Sequence, residues 1–460
     1  IIELQQPRLD VDENYQPIIN TELTPKNPYT KIKEINMKYC GFVKCKYLFP
    51  AYIGEQESKA QQHFRNLLRL AQRLDRTLVL PNVGDSRISS CKSYPFEYYY
   101  SVKSLRNLLS RPSLITQSEL YKWLEARKNL REEENTSLLP TAKIVIIEKG
   151  DDRINNNVTS ATIDLTTPKA RRQICVSPFI EKKKLSSAPT FNLQTRTSNY
   201  WSTKGNREAI SKFFEENLKN DESEVMIVHY TLRFPFTDAT PLPVAYSEKL
   251  IERVQTATSS IHPYVAVHWR MEGADDINLP TCAKNLVEYL QNLKDTHGIT
   301  NVYFATDYPV EGGPIHSGTF RGLNENHHEA IDIIRKEIDF YTWGKLSDSS
   351  NNTSVMGILD KLVLMHADWF VSGPLECRKD SSSFTIQIIE QRNQIMKYQK
   401  KKAAEISRIE NSADNNHHDD SSIPVQEETF NDPEEENYYS NDPIILGSSE
   451  FKLLNVGEEW

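Results

Sequence analysis

The chain has 460 residues, a net charge of -8 and a pI near 5.9. This length exceeds that of one ordinary hydrophobic core and predicts two domains with tails. The acidic balance disfavours nucleic-acid binding, because no overall cationic field would hold a polyanion. No apolar run approaches the roughly 18 residues of a membrane span, so we expect no span in this sequence.

The two ends differ in composition from the rest of the chain. Residues 1–36 are rich in Pro, Asn and charged side chains without periodicity, which predicts an extended arm or stem. Residues 393–460 are polar and acidic, which predicts a disordered tail.

Between these ends, strand and helix patterns alternate, which is typical of an α/β protein. We predict an N-terminal Rossmann-like domain over 37–240 and a C-terminal one over 241–392, facing a central cleft. In the first domain we expect strands at 47–52, 76–81, 144–147 and 226–230, a helix at 58–74 and irregular structure at 151–205. In the second we expect strands at 264–270, 301–305 and 368–373 and helices at 247–258, 282–295, 325–339, 354–366 and 381–391.

The strand that ends at Arg270 carries the most information. Its period of two places His268 and Arg270 on one face, so both would point into the crevice beyond the strand if the sheet is parallel. A guanidinium there could bind an anion. Alternatively, this Arg could join two domains by pairing with a carboxylate, and the strand pattern by itself does not decide between the two explanations.

Two further patterns predict polar groups at the same edge of the sheet. Asp307 directly follows its own strand, where a carboxylate could accept from ribose or base groups or could simply cap the next turn. Ser382, Ser383 and Phe384 stand at the start of a helix, where free backbone N–H groups favour phosphate. Together with Arg270, these residues predict a nucleoside diphosphate site.

Six segments follow one another between about residues 45 and 392, and they are His63-Phe64, 74–81, 264–270, 304–307, 366–370 and 382–385. In this order they resemble, in patches, the signature segments of GDP-fucose protein O-fucosyltransferases. This resemblance implies a GT-B fold and an inverting transfer of fucose from GDP-fucose to a Ser or Thr hydroxyl or a glycan hydroxyl. It also implies no cofactor and no obligatory metal, and Asp10-Val11-Asp12, which could suggest one, lies in the expected arm and receives no site.

The same resemblance assigns roles to residues of this chain. It implies that Arg270 holds the β-phosphate and stabilises the leaving GDP, and that His268 and Asp307 contact the nucleoside. Ser382, Ser383 and Phe384 would bind the diphosphate, and Asp368 joins the donor-binding set. Fixed cations and N–H donors can neutralise the charge that develops on a departing diphosphate.

The chain departs from the family before its first helix. One branch has an Arg and an Asn there, but alignment through His63-Phe64 places Gln56 and Lys59 at those positions, so neither role transfers. Another branch uses the Glu of a Gly-Glu loop as general base, and Gly54-Glu55 resembles it. Glu55 is therefore our candidate base, with acidic preference for a helix N-terminus as the alternative explanation. Glu272 is a second candidate.

The cysteines and the N-glycosylation sequons bear on the cellular compartment in which the protein is expected. Six scattered cysteines contain no CxxC pair, and an even number fits three disulfides, with fifteen possible connectivities, or six buried thiols. With sequons at Asn135, Asn157, Asn351 and Asn352, we expect the lumen of the endoplasmic reticulum or Golgi, reached through an upstream signal or anchor.

Two alternatives to a fucosyltransferase remain open from the sequence. The missing Arg and Asn would fit a degenerate member that binds a nucleotide sugar or glycan without turnover. A GT-B enzyme that uses another nucleotide sugar would fit the same motifs.

Overall fold

A computed structural model describes most of the chain between residues 27 and 394. The described residues are 27–107, 114–134, 140–149, 160–161, 175, 188–193, 212, 215–231, 244–312, 322–347, 355–373, 375–378, 382–394, 404 and 452–455. Asp10-Val11-Asp12 and the four sequon asparagines lie outside these ranges.

The N-terminal half forms a sheet of seven strands in the order β5-β2-β1-β9-β6-β8-β7. All neighbouring strands are parallel except β7 and β8, and β3 with β4 forms a separate antiparallel pair. The strands are β1 (Tyr47–Ile53), β2 (Thr77–Leu80), β3 (Val83–Gly84), β4 (Arg87–Ile88), β5 (Leu114–Thr116), β6 (Ala142–Lys149), β7 (Ser160–Ala161), β8 (Ala188–Leu193) and β9 (Val225–Tyr230). The helices are α1 (Pro28–Cys40), α2 (Glu57–Arg73), α3 (Val102–Asn107) and α4 (Gln117–Glu134).

The C-terminal half forms a second sheet in the order β11-β10-β12-β13. β10 pairs in parallel with β11 and β12, and β13 is antiparallel to β12. The strands are β10 (Tyr264–Trp269), β11 (Asn301–Thr306), β12 (Trp369–Ser372) and β13 (Lys452–Asn455). The helices are α5 (Glu248–Thr258), α6 (Leu279–His297), α7 (Glu325–Glu337), α8 (Trp343–Leu346), α9 (Met356–His366) and α10 (383–394).

The alternating pattern of β10 is confirmed by the cores on its two sides. Val265, Val267 and Trp269 belong to one apolar cluster, with α6 and α7, whereas Tyr264 and Ala266 belong to another. This second cluster also contains residues of β1, α2 and α9, so one apolar core spans both halves. Two Rossmann-like sheets joined in this way give the GT-B architecture that the sequence predicted.

Three expectations at the periphery are wrong for particular residues. Residues 28–36 are not extended but belong to α1, because Asn27 accepts from Tyr29 N at 3.0 Å, Pro28 opens the helix and Gly41 ends it in the left-handed region. Residues 452–455 of the expected disordered tail pair with β12. Within 151–205, β7 and β8 form where irregular structure was expected, because β8 pairs with the distant strand β6 and β7 pairs with β8.

All six cysteines are paired. The disulfides join Cys40 to Cys45, Cys91 to Cys175 and Cys282 to Cys377, one of the fifteen connectivities. Among the described residues, no helix has both the length and the apolar character that crossing a bilayer requires.

Candidate functional site

Arg270 and Asp307 lie together at the carboxyl edge of the C-terminal sheet. β10 and β11 are neighbours in register up to Trp269 and Thr306, so the residues that follow each strand meet at this edge. Arg270 Nε lies 3.9 Å from an Asp307 carboxylate oxygen. The structure therefore brings together the two side chains that the sequence placed on one rim.

Arg270 has a closer acidic partner in Glu272. Its Nε and Nη2 donate to one Glu272 carboxylate oxygen at 3.2 and 2.5 Å. Both side chains are mostly buried, at 18% exposure for Arg270 and 8% for Glu272. The second candidate base is thus the partner that orients the guanidinium.

Asp307 uses both carboxylate oxygens within the protein. They accept from the backbone N–H groups of Met271 and Glu272 at 2.8 and 3.0 Å. Burial raises the pKa of this carboxyl, whereas these hydrogen bonds and Arg270 lower it. The geometry matches the turn-capping alternative, and it holds the loop that carries Arg270 and Glu272.

His268 connects the end of β10 to the start of α10. Its Nδ1 lies 2.9 Å from Thr385 Oγ1, and its ring centroid is 4.8 Å from that of Phe384. Burial, with smaller contributions from Arg270, Arg378 and Lys361, lowers the pKa of His268 to about 3. The imidazole is therefore neutral at physiological pH and can act only as a hydrogen-bonding and stacking group.

The N-terminus of α10 lies at the carboxyl edge of the C-terminal sheet, because Thr385 in its first turn contacts His268 at the end of β10. Ser382 is buried and its Oγ accepts from Thr385 N at 3.3 Å, which is an N-cap bond. Ser383 and Phe384 are half-buried in the first turn. The positive end of a helix thus lies at the strand end that leads into Arg270, a combination that suits a phosphate.

Asp368 does not belong to this site, and including it in the donor-binding set was wrong. It directly precedes β12 and accepts from Tyr264 N, at the first residue of β10, at 2.8 Å. Arg270 lies six residue steps along the strand from Tyr264, a distance of about 20 Å at ~3.3 Å per residue. Asp368 therefore holds the amino edge of the sheet, where His262 Nδ1 also contacts it at 3.0 Å.

Glu55 lies in the short loop between β1 and α2, at the carboxyl edge of the N-terminal sheet. Gly54 N donates to Tyr230 O at 2.8 Å and Arg87 donates to Gly54 O at 3.2 Å, so both backbone polar groups of Gly54 are held. A Cβ at Gly54 would lie 3.2 Å from Thr231 Cγ2, which favours glycine. Burial raises the pKa of Tyr230, and the charge of the Glu55 carboxylate raises it further.

The sequence reasoning missed a buried polar cluster beside these residues. Lys361 of α9 is fully buried and forms an ion pair with Glu57 at the first residue of α2. A Lys at a core position of a largely apolar helix was the available signal. Among the described residues, no group of three or more His, Cys, Asp or Glu side chains is arranged to hold a metal ion.

The two joined Rossmann-like sheets define a fold of the GT-B glycosyltransferase type. The chain belongs to the GDP-fucose protein O-fucosyltransferase family, whose model matches residues 59–394, more than two thirds of the chain. Family membership supports fucosyl transfer from GDP-fucose. The match begins after Glu55 and Glu57, so it does not include either residue.

Solved fucosyltransferase structures show weak overall similarity. POFUT1 in complex with GDP-fucose is 15% identical, over 76% of this chain and 95% of that chain, with a TM-score of 0.44. POFUT1 in complex with GDP is 16% identical over the same shares, with a TM-score of 0.43. NodZ α-1,6-fucosyltransferase soaked with GDP-fucose is 11% identical over 76% and 92%, with a TM-score of 0.30. No curated protein matched significantly.

Proposed function

We propose that this chain is an inverting glycosyltransferase that moves fucose from GDP-fucose to a hydroxyl of a protein Ser or Thr or of a glycan. The observation that supports the proposal is the contact of His268 with Thr385, which brings the first turn of α10 to the strand end that leads into Arg270. A fixed guanidinium and a helix N-terminus at one point favour the negative charge that develops when a diphosphate departs.

In the donor site, Arg270 binds the β-phosphate and Ser382, Ser383 and the first backbone N–H groups of α10 complete the diphosphate contacts. Phe384 and the neutral His268 form a wall beside them. Glu272 orients Arg270, and Asp307 fixes the loop that carries both residues, in addition to the nucleoside contact that the family resemblance implies. No metal enters this scheme.

For the transfer, we assign the general base to Glu55. Its carboxylate takes the proton of the acceptor hydroxyl while that oxygen attacks C1 of fucose from the face opposite the diphosphate. The bond between C1 and the β-phosphate oxygen breaks, and GDP leaves with the electron pair. In the transition state, where one bond breaks as the other forms, the sugar is oxocarbenium-like, and the anomeric configuration inverts. Glu272 is less suited to this role because it is paired with Arg270.

The two halves of the chain are proposed to bind different substrates. We propose that residues 37–240 form the acceptor side and residues 241–392 bind GDP-fucose, with the acceptor between them. Three disulfides support a location in the lumen of the secretory pathway, since such bonds persist in oxidising compartments.

Calorimetric titration with GDP-fucose, GDP-mannose and UDP-sugars, followed by a donor-hydrolysis assay, tests the proposal. We expect the tightest binding with GDP-fucose and slow release of fucose and GDP into water. Tighter binding of another nucleotide sugar would show that GDP-fucose is not the preferred donor. If the protein does not bind GDP, the proposed donor site at this edge of the sheet is wrong.

A degenerate binding protein of the same fold is the second candidate. It is favoured by Gln56 and Lys59 at the positions where one family branch has Arg and Asn, and by the ion pair that already neutralises Arg270. The same assays separate it from an enzyme, because it would bind GDP-fucose tightly and release no fucose.

A further inference from the structure

The two halves of the chain are joined by a buried polar cluster, which we call the junction cluster. It contains the first turns of α2, together with one side chain from α9 and one from α10. All its members are less than 9% exposed, and they are Glu57, Ser58, Gln61, Lys361 and Gln387. Such a cluster inside an apolar core is uncommon unless its groups satisfy one another.

Lys361 is the centre of the cluster. Its ammonium donates to a Glu57 carboxylate oxygen, to Ser58 Oγ at 2.7 Å and to Gln387 Oε1 at 2.6 Å. An ammonium has three N–H donors, so these bonds use all of them. Lys361 therefore has no N–H group left for a phosphate, and we do not assign it to the binding of GDP-fucose.

Both carboxylate oxygens of Glu57 also accept hydrogen bonds within the cluster or from its neighbours. One accepts from Lys361, and the other accepts from the hydroxyls of Tyr100 and Tyr246, both at 2.9 Å. A carboxylate that faces an ammonium and two phenol groups in a dry core cannot reach an acceptor hydroxyl. Glu57 is thus no alternative to Glu55 as general base, although only two residues separate them.

A second connection runs beside the ion pair. Gln387 Nε2 donates to Gln61 Oε1 at 2.7 Å, and Gln61 Nε2 donates to Val244 O at 3.1 Å. Gln387 therefore joins α10 to α2 in two ways, directly through Gln61 and indirectly through Lys361. Each amide and charge has a matched partner, so small shifts between the helices would break several bonds together.

The cluster lies between the two parts of the proposed active site. On one side, Glu57 begins α2 directly after the loop that carries Glu55. On the other side, the Lys361 ammonium lies 5.2 Å from the ring centroid of Phe384, which contacts His268. A buried ion pair contributes little net stability compared with apolar side chains, so its geometric effect is the more informative property.

We propose that Lys361 and Glu57 are positioning residues that fix the loop of Glu55 against the N-terminus of α10. They thereby set the position of the base relative to the fucose of the bound donor. The inference rests on the proposed function, because it requires a donor at α10 and a base at Glu55. A misplacement of about 1 Å between reacting groups can lower a rate by up to ~100-fold.

The test uses GDP-fucose with water as the acceptor, so no knowledge of the natural acceptor is needed. Titration with GDP gives the Kd and the number of binding-competent sites for wild type, Lys361→Met and Glu57→Gln. Hydrolysis is then expressed as kcat per GDP-binding site, a value that loss of folded protein does not change. We expect kcat per site to fall about 10- to 100-fold in both variants, with the Kd for GDP unchanged.

Glu224→Gln is the matched control. Glu224 forms a buried ion pair with Arg127 at 2.6 Å, immediately before β9 and therefore at the opposite edge of the N-terminal sheet from Glu55. Breaking it should lower the fraction of folded protein and leave kcat per site at the wild-type value. A purely structural role of Lys361 predicts the same behaviour in the junction variants.

A double variant keeps the test decisive if the single variants do not fold. Lys361→Met with Glu57→Leu removes both charges, so no unpaired charge stays buried and folding is expected. We expect it to bind GDP and to hydrolyse GDP-fucose slowly. Wild-type kcat per site in the double variant, or in both single variants, overturns the inference. Wild-type protein that binds no GDP, or binds it without hydrolysis, instead overturns the proposed function and the inference with it.

Discussion

Arg270 and Glu272 form a preset pair at the end of β10, with both guanidinium bonds directed to one carboxylate oxygen at 3.2 and 2.5 Å. The two bonds use two of the five N–H groups of the guanidinium and fix its plane. The donor diphosphate would therefore meet a cation whose orientation is already set, which limits the reorganisation that binding requires.

Replacing Arg270 tests its role in leaving-group stabilisation. We expect Arg270→Ala to lower donor turnover by about 100- to 1000-fold, because a fixed cation no longer stabilises the departing GDP. Arg270→Lys should retain part of the activity, since it restores the charge without the planar fork. Arg335→Ala, which removes an exposed guanidinium on α7, is the control. Near-normal turnover in Arg270→Ala would exclude Arg270 from the mechanism.

Replacing Glu55 tests the assignment of the base. Glu55→Gln keeps the size of the side chain but cannot accept the proton, so we expect turnover to fall about 100- to 10,000-fold with the Kd for GDP unchanged. Glu97→Gln, at an exposed site, should behave as wild type. Loss of activity in Glu272→Gln but not in Glu55→Gln would transfer the role to Glu272.

Removing Asp368 tests its placement at the amino edge. Asp368→Ala leaves Tyr264 N without its acceptor and should lower the free energy of unfolding by about 1–3 kcal/mol. The Kd for GDP-fucose, measured below the unfolding transition, should not change. A large loss of donor affinity in folded Asp368→Ala would return this residue to the donor site.

Two buried histidines predict a pH dependence of stability. Burial lowers the pKa of His63 and of His268 to about 3, below the ordinary value of 6.5 in the unfolded chain. The unfolded state therefore binds more protons between pH 6.5 and pH 3, so stability falls as the pH falls through this range. Each histidine should lower the free energy of unfolding by about 2 kcal/mol between pH 7 and pH 5.

The variant His63→Leu isolates one of these contributions. His63 has no hydrogen-bond partner for either ring nitrogen among the described residues, so the replacement breaks no such bond. Urea unfolding at pH 7 and pH 5 should show a loss that is smaller by about 2 kcal/mol in the variant than in wild type. Equal losses in the two proteins would show that His63 does not titrate in this way.

The disulfide between Cys282 and Cys377 joins α6 to the segment between β12 and α10. Trp269 Nε1 donates to Cys377 O at 2.5 Å, so this segment also contacts the end of β10. Replacing both cysteines with Ser should lower stability by about 2–4 kcal/mol, because the bond closes a long loop. Thermal unfolding measures this effect, and the same replacement of Cys40 and Cys45, which closes a short loop, should lower stability less.

Much of the fold could be predicted because its signals are local. The alternation of β10 assigned Val267 and Ala266 to different faces, and two apolar clusters confirm this. α2 showed its buried face through the spacing of Phe64, Leu67 and Ala71. Because parallel strands end at one edge, the sequence also placed Arg270 and Asp307 together.

The tertiary structure decided the properties that depend on residues distant along the chain. Asp368 was placed in the donor site on a motif alone, although its position before a parallel strand puts it at the opposite edge. Lys361 and Glu57 are 304 residues apart, and no local pattern indicates that they pair. Periodicity reports which face of an element is buried, whereas the partner of a buried charge is set only when both halves of the chain pack together.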